Sequence, residues 1–290
     1  MRNPTFADGE SAMRRALLLV PVLACIAHAA SAPAFTTYPN PACPDSVAIR
    51  QILEAGPCQP QAVNGGVGDT VRSIGGILTA VDAIPPSFGF FLQNNASDAG
   101  VNAGIEVFTV SRDFSAAPYG FARGDSIVVE WAAVQAFQLN TRLVSPNDPA
   151  ITPNVVVRKV TSGATLPAPR VLTTTQLRNP ESNSASMPWL GSLVQADGPL
   201  TVARVDPYGS STFFLVSPSA PGDSVCVNAF SLTNFVSPPP GITLDMVRGV
   251  WRHSTGRHYE IEIRDVQDLH AEPPTAARST TWGRLKTIYR

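Results

Sequence analysis

The chain has 290 residues, enough for one large domain or two small ones. Charged residues make up 15%, hydrophobic residues 44%, and 21 basic against 22 acidic side chains leave a formal net charge of −1. That balance excludes a strongly basic nucleic-acid clamp, an acidic solvating chain and a coiled coil. No apolar run reaches the ~18 residues that a membrane-crossing helix requires.

In chain order, Met13-Arg14-Arg15 precedes the short apolar stretch Ala16–Ala27 and the small residues Ala29, Ala30, Ser31 and Ala32. This is the build of a secretory signal, expected over residues 1–32 and implying export to the cell surface or beyond, or to the periplasm. Val22-Leu23-Ala24-Cys25 also fits a lipoprotein box, in which Cys25 would carry lipid. Residues 33–67 form a Pro-rich lead-in with one helical stretch at Ser46–Ala55. In an oxidising compartment Cys43 and Cys58 are the disulfide candidates. Closing so short a loop stabilises by about 3 kcal/mol at most. Cys226, within Val225-Cys226-Val227, reads as a small buried hydrophobe.

From Gly68 the pattern changes to short strands split by turns. A first set over residues 68–146 comprises Val71–Val81, Phe88–Gln93, Gly104–Val110, Gly124–Phe137 and Leu139–Val144. Gly75-Gly76 inside the first strand points to a bulge or a sharp bend. Residues 147–186 read as a linker, with Val155–Val160 as an extra strand. A second set over residues 187–270 repeats the plan: Leu193–Val205, broken by a turn at Asp197-Gly198, then Thr212–Ser217, Ser224–Leu232, Asp245–His253 and His258–Arg264. In the last strand Tyr259, Ile261 and Ile263 face one way and Glu260, Glu262 and Arg264 the other. A tail, 271–290, places Trp282, Leu285, Ile288 and Tyr289 at helical spacing beside Arg284, Lys286 and Arg290.

The fold class that follows is all-β: two tandem five-stranded OB-like barrels after a signal peptide and a short helical segment. A bent first strand can pair in both halves of a small barrel, and closure leaves little exposed edge. A β-sandwich is the competing arrangement.

The motifs Ser73–Val81, Gly89-Phe90-Phe91-Leu92-Gln93, Gly104-Ile105-Glu106-Val107-Phe108 and Gly124-Asp125-Ser126-Ile127-Val128-Val129 resemble the OB-fold accessory region of bacterial extracellular endonucleases. Leu166-Pro167-Ala168-Pro169 is similar to its connector and Tyr259–Asp265 to its closing strand, so the likeness spans roughly residues 45–270. In that family an endonuclease/exonuclease/phosphatase domain follows and carries the catalysis. About 20 residues remain here after the second set. The resemblance therefore implies the accessory module without its hydrolase.

OB-folds hold single strands with basic grooves and stacking aromatics. The first set holds four arginines against seven acids and the second five against eight, which argues against a strong phosphate field. One basic patch survives that test: Arg248, Arg252, His253, Arg257 and His258, on the hairpin joining the last two strands, where OB-folds often bind ligands. No P-loop, G-x-S-x-G, H-E-x-x-H or dinucleotide fingerprint is present. The expectation is a non-enzyme without cofactor or metal, binding single-stranded nucleic acid or another extracellular polymer. The alternatives are a cell-surface interaction protein for a protein or glycan, and an accessory subunit of a separate nuclease chain.

Overall fold

The computed structural model describes residues 47–82, 88–94, 100–109, 120–137, 139–145, 155–178, 184–206, 211–229, 231–253 and 259–270. The signal segment, Cys25, Cys43 and the C-terminal tail lie outside these residues.

The first barrel is built from β1 (Val63–Asn64), β2 (Thr70–Asp82), β3 (Phe88–Gln93), β4 (Gly104–Thr109), β5 (Ser126–Phe137) and β6 (Asn140–Val144), with β7 (Val156–Thr161) added beside β5. The pairing order β5-β2-β3-β4-β6 closes because β6 returns to β5. All five-strand pairings are antiparallel except β4 with β6, where Glu106 lies opposite Arg142 and Val107 opposite Leu143. β2 is long enough to serve two partners: Thr70–Ile77 pair with β5 and Ile77–Asp82 with β3. The glycines Gly75 and Gly76 sit at this handover, and a Cβ on Gly76 would come within 3.0 Å of the Leu92 side chain. The register break itself falls later, at Thr79, whose hydroxyl donates to the Phe91 carbonyl at 3.3 Å.

The second barrel repeats this topology with β9 (Leu193–Val205), β10 (Thr212–Ser217), β11 (Ala220–Asn228), β12 (Thr243–His253) and β13 (Tyr259–Glu262), flanked by β8 (Arg170–Val171) and β14 (Leu269–His270). Its order is β12-β13-β11-β10-β9, closed by β9 on β12, with β11 and β13 parallel. The chain is thus all-β with two closed OB-like barrels in tandem. The turn expected at Asp197-Gly198 is not taken. β9 continues past it as a bulge instead: Asp197 lies opposite Met246 and Leu200 opposite Leu244, so the register shifts across Gly198-Pro199, where a Cβ on Gly198 would collide with the Leu244 and Asp245 carbonyls.

A short helix precedes each barrel. α1 (Ile49–Leu53) and α2 (Thr174–Leu177) are started the same way: the Gln51 side chain accepts from the Ala48 N–H, and the Gln176 side chain from the Thr173 N–H, both at 2.9 Å. Val47, Ile49 and Ile52 join the first core with Ile74, Phe90, Leu92 and Val107. Leu172 and Leu177 join the second with Phe213, Leu215, Trp251 and Ile261. The repeating unit is therefore a helix plus a barrel. The expected linker over 147–186 is correspondingly not slack: β7 belongs to the first sheet, and β8 and α2 belong to the second barrel. Cys58 is disulfide-bonded, and Cys226 is buried with a free thiol.

The barrels meet over a shared apolar contact of Ala80 and Phe91 with Leu193 and Val250. The Leu193 N–H donates to the Gln93 side chain at 3.0 Å, and the Asn102 N–H to the Pro188 carbonyl at 2.7 Å. Arg123 pairs with Asp265 at 2.6 Å at the rim. Backbone meets backbone at Gly104 and Gly191, where a Cβ on either residue would collide with the main chain of the other. Gly104→Ala is expected to cost about 1–3 kcal/mol, because main chain cannot swing aside as a side chain would. Denaturation midpoints of the two proteins check this.

Candidate functional site

Strand alternation decides which side chains leave each barrel. In β3, Phe90 and Leu92 point into the core, so Phe91 and Gln93 point out. The cross-strand registers then lay Ala80, Phe91, Glu106, Arg142 and Gln135 in one row across the outside of the first barrel. The same logic on the second barrel lays out Arg204, Phe214, Cys226, Glu260 and Arg252. OB-folds bind ligands on the outer side of these central strands. Here the β3 part of that face in the first barrel is covered by the second, and Phe91 is 1% exposed.

Arg252 lies at the centre of the contact. Its Nη1 is 3.2 Å from Asp82 on the first barrel and 3.9 Å from Glu262, and its Nε is 4.0 Å from Glu260. Burial works against its charge, but the carboxylates of Glu262, Glu106, Glu260 and Asp82 outweigh that and hold the guanidinium above its ordinary range. Burial likewise pushes the Glu262 carboxyl up to about 8, against the pull of Arg252 and with help from Glu260 and Asp82. Ser231 joins the barrels from the same side, its N–H donating to Glu262 at 3.0 Å and its hydroxyl to Asp82 at 3.4 Å.

On the first barrel Arg142 is stacked between two phenyl rings, 4.0 Å from the Phe108 centroid and 3.9 Å from that of Phe137. Its Nε donates to Gln135 at 2.8 Å, while Asn140 donates to Glu106 at 3.1 Å. Burial lowers the Arg142 value; Glu106 opposes that and the Arg252 charge adds to it. On the second barrel Arg204 covers the Phe214 ring at 3.6 Å and is itself exposed. Neither stack was anticipated. For Phe108 the signal was available, since Glu106 and Phe108 alternate with the core residues Ile105 and Val107.

Of the basic patch expected on the β12–β13 hairpin, Arg248, Arg252 and His253 are described. Arg252 is turned into the barrel contact. Arg248 donates to Asp268 at 2.7 Å, a carboxylate it shares with Arg264. Burial would raise the Asp268 value, but these arginines together hold it below the usual carboxylate range. His253 packs edge-on against Tyr259 at 4.6 Å. Arg257 and His258 lie outside the described residues. The three described members therefore do not form one open, solvated surface, because β12 alternation sends two of them to acids already waiting there.

Among the described residues, no group of three or more His, Cys, Asp or Glu side chains is arranged to hold a metal ion, and no helix is long and apolar enough to cross a membrane. No family model matches the chain, and no curated protein matches it. Among solved structures, the crystal structure of the tetrameric p202 HIN2 is similar at 12% identity and a TM-score of 0.31, over 68% of this chain and 90% of that one. The fold assignment rests on the strand pairings, not on that likeness.

Proposed function

We propose that this chain is an exported, non-catalytic binding protein that contacts single-stranded nucleic acid across the outer faces of its two barrels. The observation behind this is the pair of guanidinium–phenyl stacks, Phe108–Arg142–Phe137 and Arg204–Phe214, on the faces that OB-folds present to ligands. Flat rings and guanidinium planes accept unstacked bases with little regard to sequence. Arg142 and Phe214 are buried, so the surfaces left to a ligand are the half-buried rings of Phe108 and Phe137 and the exposed Arg204 guanidinium.

Binding of a labelled oligonucleotide across a salt series tests the proposal. Measurable affinity at low salt that falls as salt rises is the expected result. Phe108→Ala is expected to weaken it about tenfold, in line with about 1–3 kcal/mol per stacked base. No affinity at low salt discards the nucleic-acid ligand, and nuclease activity of the pure chain with Mg²⁺ discards the non-catalytic reading.

A second reading has its own support. Both barrel segments carry more acids than arginines, seven against four over residues 68–146 and eight against five over residues 187–270. Such a surface suits an uncharged glycan or a protein partner at the cell surface better than a polyphosphate. Binding to a neutral polysaccharide with little salt dependence, and none to the oligonucleotide, decides for it.

A further inference from the structure

Among the described residues, the contact between the barrels holds more buried acid than base. Asp82 from β2, Glu106 from β4, and Glu260 and Glu262 from β13 surround two guanidiniums, Arg252 from β12 and Arg142 from β6. The Cys226 thiol of β11, kept protonated chiefly by burial, also lies within the field of Glu260 and Glu262. Fully ionised, these four carboxylates outnumber the two guanidiniums in a largely buried space, which is unfavourable unless one takes up a proton.

Geometry singles out Glu262. Its Oε1 accepts from the Ser231 N–H, but its Oε2 is buried with no hydrogen-bond partner among the described residues. Asn228, its neighbour in register on β11, spends its amide N–H on Glu260 at 3.1 Å, and its Oδ1 is likewise buried and unpartnered. The Arg252 Nη1 faces Glu262 Oε2 only at 3.9 Å, beyond hydrogen-bond range, and a proton on Glu262 would give it a donor toward Asn228, its neighbour in register.

We infer that the barrel contact is a proton-dependent clasp: Glu262 in its protonated form lets the barrels close, and its ionisation loosens them and uncovers the Phe91 face of the first barrel. The sign follows from linkage. Glu262 sits near 8 in the folded chain against an ordinary 4.5. Its contribution to closure is complete below the ordinary value and is lost as pH rises through the folded one.

Hydrogen exchange on the full chain reads this directly, because the Leu193 and Asn102 amides each donate across the contact. After correction for the intrinsic pH dependence of exchange, opening at these two amides should rise at least about tenfold between about pH 6 and about pH 9. The Ile261 amide, inside the second barrel, should not follow. Glu262→Gln should flatten the response, since the amide keeps an acceptor for Ser231 and adds a donor for Asn228. Equal corrected protection at both pH values in the wild type overturns the clasp whether or not the variant folds. A parallel change at Ile261, or a pH response that persists in Glu262→Gln, overturns it too.

Discussion

Replacing Arg252 by alanine should destabilise the chain by about 3–5 kcal/mol, the scale for removing one partner from a buried ion pair. Its side chain is 15% exposed, and Glu260 and Glu262, which flank it on β13, are 3% exposed. Without the guanidinium, Asp82, Glu106, Glu260 and Glu262 are left facing one another, with Arg142 as the remaining guanidinium of the group among the described residues. The penalty is chiefly that of uncompensated charge and only secondarily one of lost packing. Two controls separate these. Arg252→Met keeps the aliphatic stem yet should recover little. Lowering the pH from about 7 to about 5 should recover part of the loss, because the orphaned carboxylates then take up protons. Urea denaturation at both pH values measures all of this. A loss under about 1 kcal/mol would place Arg252 among solvated surface pairs and dissolve the account of the contact.

Much of the architecture was legible in the chain because alternation is a local property. Tyr259, Ile261 and Ile263 had to share a side, and they do line the second core. The helix-plus-barrel repeat was legible only in part. The first helix showed its apolar spacing, whereas α2 spans four residues and left too short a pattern to see. What escaped was the surface lying across from each strand. Arg252 follows Val250 and Trp251 and points away from the core, so it read as part of a basic, ligand-binding patch. Alternation tells which side of a strand a residue takes, not whether a second barrel covers that side. The unbroken run Phe90-Phe91-Leu92 carried a hint, for a strand apolar on both sides is one that is covered on both sides. The turn expected at Asp197-Gly198 became a bulge for the complementary reason: the pair lies against the β12 carbonyls, where a Cβ on Gly198 would collide, and β9 continues beyond it.

The second large effect is expected at Phe91. Although it points out of its own barrel, it is 1% exposed and packs with Ala80, Leu193 and Val250. Truncation to alanine leaves a void that neither barrel can fill by shifting alone, since Gly104 and Gly191 already hold the two backbones in contact. A loss of about 3–5 kcal/mol is expected, as for an aromatic in a protein core. The distinguishing sign is where the damage falls. Phe90→Ala should lower protection throughout the first barrel, whereas Phe91→Ala should lower it at Leu193 and Asn102 first. The ring centroid of Phe91 lies 5.8 Å from the Arg252 guanidinium carbon, so the two sites share one contact. In a double-mutant cycle, Phe91→Ala with Arg252→Ala should therefore cost less than the sum of the single losses, because a contact opened by one change has little left for the other to lose. Additive losses would instead mean that the apolar and the ionic parts of the contact hold the barrels independently.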